Sequence, residues 1–151
     1  MEIEFRQFKG EEEVAEIIKI IDNELSEPYG LYTYRYFWAV CPQHTLVALK
    51  DGKIVGVIVG RETKKDNGMV KGYIGMLVVL KEYRKLGIGR RLATDLINVM
   101  KKTCTEIVLD AEYDNYPALG LYQSLGFTRT KRLYRYYLNG NGAYRLKLWV
   151  K

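Results

Sequence analysis

Four cations crowd two glycines in the stretch EYRKLGIGRRLATDL, residues 82–96: Arg84 and Lys85 precede Gly87 and Gly89, and Arg90 and Arg91 follow. An apolar run before it and a helical pattern after it make this a strand-to-helix turn. A helix N-terminus is the positive end of the macrodipole, so cations there are repelled. An anion bound to the unpaired amides of the first turn reverses that penalty. Glycine at 87 and 89 removes the Cβ atoms that would hold such an anion off the backbone. The chemistry these residues suit is capture of a phosphate or diphosphate, although two glycines in such a turn can serve packing alone.

The loop type can be narrowed. A P-loop needs G-x-x-x-x-G-K-[ST], which the chain lacks. A Rossmann loop needs a third glycine where Leu92 stands. Asp110 does follow about twenty residues on, as the acid of that loop would. But the stretch falls in mid-chain after a run of strands, which fits that type poorly. The remaining pattern is R-x-x-G-x-G, Arg84 to Gly89.

The elements around the loop follow from periodicity. Ile3 and Phe5 alternate with polar neighbours as a short strand, and Val14, Ile17, Ile18 and Ile21 recur at helical spacing. Pro28 and Gly30 break the chain, and the aromatic run LYTYRYFWAV reads as a short helix. TLVALKDGKIVGVIVG is a hairpin about Asp51-Gly52. Polar residues 61–71 read as a loop, and GYIGMLVVL as a buried central strand. After the glycines, Ile88, Leu92, Leu96, Val99 and Met100 share one helix face. EIVLD is a further buried strand. Asn115 and Pro117 open a helix that Leu119, Tyr122 and Leu125 continue and Gly126 ends. FTRTKRLYRYYLNGNGAYRLKLWV reads as two strands around an Asn-Gly-Asn-Gly turn. The order β-α-(α)-β-β-β-α-β-α-β-β predicts an α/β (α+β) domain over residues 1–151, with helices around a mixed sheet.

Composition narrows the class of protein. The 151 residues suit one domain, and 48% hydrophobic content supplies a core. No apolar run reaches the length of a membrane span, and the acidic start does not read as a secretory signal. Cys41 and Cys104 make neither a disulfide framework nor a metal set, so free thiols in the cytoplasm are expected. His44 has no partner at ligand spacing, reads as a loop residue, and implies no metal. The net charge of +6 is uneven: residues 1–30 hold nine acids and three bases, whereas residues 129–151 hold seven bases and no acid. A basic back half suits an anionic partner, either a phosphorylated small molecule or nucleic acid.

R-x-x-G-x-G between a buried strand and a helix resembles the acetyl-CoA pyrophosphate loop of the GNAT superfamily. LSEPYGLYTYRYF (25–37), KGYIGMLVV (71–79) and KRLYRYYLNG (131–140) resemble the catalytic subunits of NatC-type N-terminal acetyltransferases, in the same order along almost the whole chain. The resemblance implies the GNAT fold, with about seven strands and about four helices. It also implies direct transfer of acetyl from acetyl-CoA to the α-amine of proteins starting Met followed by Leu, Ile or Phe. A large and a small auxiliary subunit, and contact with the ribosome, are implied as well.

Residue roles follow from the same resemblance. Met76, Leu77 and Val78 lend backbone groups to the pantetheine. Arg84, Lys85, Leu86, Gly87, Ile88, Gly89 and Arg90 cradle the diphosphate, and Asn115 contacts the coenzyme. Tyr122, in LYQSLGF, is the acid toward the leaving thiolate. Asp110 stands where NatC enzymes carry a glutamate base; Glu112, on the same strand face by the two-residue period, is the second candidate. Tyr73 would bind or relay the base's water. Leu25, Glu27, Pro28 and Tyr29 match the loop lining the peptide pocket, and Tyr136 and Tyr137 the pair gripping the peptide backbone. Two other functions compete: acetylation of lysine side chains or small amines, and a non-catalytic, cofactor-bound module that binds ribosomal RNA through the basic half.

Overall fold

The computed structural model describes residues 2–24, 44–134 and 141–150. Its first hairpin is set by the turn expected from sequence. Asp51 and Gly52 both have positive φ, 52° and 78°, which matches the right-handed twist of the strands they join. Those strands are β2 (Thr45–Lys50) and β3 (Lys53–Lys64), and β1 (Glu4–Gln7) pairs antiparallel on the outer side of β2. Between β1 and β2 lie a 3₁₀ turn and helix α1 (Val14–Glu24).

Then come β4 (Val70–Val79), a 3₁₀ turn at Lys81–Tyr83, α2 (Ile88–Met100), β5 (Glu106–Glu112), α3 (Tyr116–Ser124), β6 (Thr128–Leu133) and β7 (Ala143–Trp149). The seven strands run in the order β1-β2-β3-β4-β5-β7-β6. β4 and β5 are parallel, and β7 lies antiparallel between β5 and β6, so the sheet is mixed as expected.

The chain divides into two compact units: Met1–Arg61 with Gly75–Val99, and Glu62–Ile74 with Met100–Lys151. In the first, Ile17, Val47, Ile54, Ile58, Leu92 and Leu96 are fully buried. In the second, Met100, Ile107, Leu119 and Leu146 are. Each set comes from the apolar stripe of a helix and the inward face of strands.

Three local expectations need correction. Residues 61–71 are not one loop: β3 runs to Lys64 and β4 starts at Val70. The turn is only Lys65–Met69, closed by Lys65 N–H to Met69 O at 2.7 Å and by Met69 N–H to the Asn67 side chain at 3.0 Å. Strand pairing satisfies the backbone whatever the side chains, so polar residues extend a strand already begun. On α2 the buried face includes Ala93 and Ile97, while Val99 is only half-buried. His44 is buried, at 1% exposure, in the turn that enters β2. The aromatic run expected to form a short helix lies outside the described residues.

Candidate active site

The glycine turn has the backbone that anion binding requires. Lys85 and Gly87 are both left-handed, with φ of 65° and 82°. Such alternation aims successive N–H groups to one side and makes an anion-binding concavity. The first helical bond of α2 runs from Arg91 N–H to Gly87 O at 3.0 Å, so the amides before it are those a helix start leaves unpaired. A Cβ on Gly89 would sit 3.7 Å from Leu77 and 3.9 Å from Val79, which is ordinary contact. Packing therefore does not demand a glycine there. Arg84, Lys85, Leu86, Gly87 and Arg90 are exposed around the turn, and Ile88 anchors it in the core. Arg84 also donates from Nε to Val79 O at 3.0 Å. Arg91 is committed to the fold: it pairs with Asp95 at 2.9 Å and its guanidinium lies 4.5 Å over the Phe5 ring. These features fit the diphosphate of coenzyme A.

On β4, Met76 and Val78 bury their side chains and Leu77 points to the other face. The registered β4–β5 ladder runs from Lys71↔Glu106 to Ile74↔Leu109. Met76, Leu77 and Val78 lie beyond these four registered pairs. Tyr73 is opposite Val108 in that ladder, on the sheet face that also carries Asp110.

That face of β5 carries three acids, each met from β7 or its approach. Glu106 receives Lys147 at 3.3 Å and, from the β3–β4 turn, Lys65 at 2.7 Å. Asp110 receives a bidentate bond from Arg145, its registered partner, at 2.9 and 3.2 Å. Glu112 accepts from Asn141 Nδ2 at 3.2 Å. Glu106 and Asp110 side chains are 2% and 3% exposed. Burial pushes the Glu106 carboxyl up, but the lysine bonds outweigh it and hold the group below the usual carboxylate range.

Asn115 caps α3, its side chain accepting from Ala118 N–H at 3.3 Å. Tyr122, on the buried face of α3, meets Phe127 edge-on with centroids 5.4 Å apart. Burial pushes its hydroxyl well above the ordinary tyrosine value. In the second unit the fold thus gathers Tyr73, Asp110 and Glu112 on neighbouring strands, with Asn115 and Tyr122 on the helix that follows. Leu25, Glu27, Pro28, Tyr29, Tyr136 and Tyr137 lie outside the described residues. Arg145 and Asn141, which hold the two candidate acids, are not legible from local sequence. The β5–β7 register finds Arg145, and Asn141 lies two residues before β7 begins. Among the described residues, no three His, Cys, Asp or Glu side chains come together as metal ligands, and no helix is long and apolar enough to cross a membrane.

A mixed seven-stranded sheet with a glycine turn between β4 and α2 fits the architecture of an acyl-CoA-dependent N-acyltransferase. Residues 14–127 match the acetyltransferase (GNAT) family. The chain belongs to that family, in the branch of N-terminal acetyltransferases that take acetyl from acetyl-CoA. It is 48% identical to N-alpha-acetyltransferase MAK3 of Arabidopsis thaliana, a match covering 97% of this chain and 77% of that protein. It is 44% identical to N-alpha-acetyltransferase 30 of Xenopus laevis over 99% of this chain, but spans only 55% of that longer relative. A chain in the crystal structure of the NatC complex bound to Gag peptide and CoA superposes with a TM-score of 0.95, at 40% identity and 100% coverage of both chains.

Proposed function

We propose that residues 1–151 form one GNAT domain that acetylates proteins starting Met followed by Leu, Ile or Phe. The match to the NatC chain, over all of both sequences, is the observation that carries this reading. That complex is bound to a peptide and to CoA, the coenzyme this reaction would release.

The chemistry is direct attack. An α-amine has a pKa of about 7.7–8.0, so a useful fraction is neutral at physiological pH and a weak base suffices. The amine nitrogen attacks the thioester carbonyl, the C–S bond then breaks, and sulfur leaves as a thiolate. The turn at 84–90 holds the coenzyme's diphosphate, Asn115 adds a contact, and the backbone of Met76, Leu77 and Val78 lines up its pantetheine. Tyr122, whose proton is held tightly, gives a hydrogen bond to the departing sulfur. The amine's proton passes to Asp110, directly or through a water held by Tyr73, with Glu112 as the second acceptor. Leu25, Glu27, Pro28, Tyr29, Tyr136 and Tyr137 bind the peptide end. The enzyme works in the cytoplasm with a large and a small auxiliary subunit, and its basic half touches the ribosome.

A screen of peptides varied at their first two residues tests the specificity. Acetylation of Met-Leu peptides, with little on Ser- or Ala-starting ones, is expected. Equal acetylation of free lysine side chains would sink it.

A further inference from the structure

Arg132 sits in β6 with Tyr144 as its registered partner on β7. Its guanidinium lies 5.0 Å over that ring, 4.9 Å over Tyr113 and 5.1 Å over Tyr134. Tyr113 is the residue after Glu112. A planar cation among three rings gains from each and has little freedom to rotate. The same guanidinium presses on the start of β7. A Cβ at Gly142 would come within 3.0 Å of Arg132 Nη1 and 2.6 Å of Leu133 O, so only glycine lets these parts close up. Arg132 Nη1 also points at Ala143 O, 3.4 Å away.

The segment so pinned holds the acid. Tyr113 N–H donates to Gly142 O at 3.1 Å, and Asn141, one residue earlier, donates to Glu112 at 3.2 Å. We propose that Arg132 is a positioning residue for Glu112: it seats residues 142–143, which fixes Asn141, whose amide aims the Glu112 carboxylate. This rests on the reading that places Glu112 at the amine end of the reaction. Arg132→Lys keeps the charge but loses the planar stack, so it separates shape from charge.

Two measurements on the full chain decide it. In the first, amide hydrogen exchange is followed by NMR. Arg132→Lys should speed exchange at Tyr113 by roughly fivefold, about 1 kcal/mol of local opening, while Val108 stays at the parent rate. An unchanged Tyr113 rate overturns the proposal, as does equal acceleration at both amides. In the second, kcat/KM is measured on a Met-Leu peptide. Arg132→Lys and Asn141→Ala should each lose roughly fivefold, and the double variant no more than the worse single, because both act through one carboxylate. Losses that multiply overturn it. Glu112→Gln with the parent's kcat/KM would remove Glu112 from the reaction; the exchange rates then decide alone whether Arg132 positions it.

Discussion

Asp110 and Arg145 face each other across the β5–β7 ladder, with Arg145 Nε donating to Oδ1 at 2.9 Å and Nη2 to Oδ2 at 3.2 Å. The expected base is thus held in plane by a cation rather than standing alone at a strand end. Removing the arginine takes a bidentate bond from a buried acid. Arg145→Ala should cost about 3 kcal/mol of stability, seen as a lower Tm. Asp110→Asn should lower kcat by about 10²-fold and change the peptide KM little. A parent-like kcat in Asp110→Asn would pass the role to Glu112.

Tyr122 offers a cleaner test of the leaving-group side. Tyr122→Phe keeps the ring against Phe127, so the Tm should hold. If Tyr122 gives the proposed hydrogen bond to the thiolate, its loss should lower kcat by roughly 10²-fold. Because burial raises the hydroxyl's pKa, the parent's kcat should show no falling limb from this group as the pH approaches about 10, the ordinary tyrosine value.

The two glycines of the turn should respond differently. Gly87 has φ of 82°, so Gly87→Ala strains the backbone by about 1 kcal/mol and should lower the Tm. Gly89→Ala meets only ordinary contacts and gains helix propensity, so stability should rise by as much as about 1 kcal/mol. If the amides of this turn hold the diphosphate as proposed, both should raise the KM for acetyl-CoA, because the added Cβ or strain disturbs them. Calorimetry and initial rates separate the two effects. A Gly89→Ala variant with unchanged KM would remove that residue from the cofactor site.

Glu106 controls an acid-side loss of stability. Its folded pKa lies below its ordinary value. It therefore stabilises the fold above about pH 4.3, and that contribution is lost as pH falls through the lower folded value. Glu106→Gln leaves Lys65 and Lys147 without their carboxylate and should cost about 1–3 kcal/mol near neutrality. The gap between parent and variant in urea melts should narrow below about pH 4. A constant gap would mean the lysines contribute nothing.

Much of this was legible in the chain. The Asp51-Gly52 hairpin, the Asn115 cap and the strand-to-helix glycine turn are local: each depends on residues within a few positions, and the positive φ of Asp51, Gly52 and Gly87 and the Asn115 cap bond came out as their types demand. The strand at 61–64 was hidden because its polar side chains carry no period, while pairing alone holds its backbone. Lys85 in a left-handed conformation was hidden too, since nothing in a lysine announces it.

By itself the sequence determined the element order, the glycine turn between strand and helix, and the family, because periodicity and short-range backbone preferences are written in neighbouring residues. Only the tertiary structure decided which cation meets which acid. Asp110 and Arg145 are thirty-five positions apart, and β7 inserts between β5 and β6. Such a pair forms through strand register, which is set by the packing of the whole sheet and by no local signal.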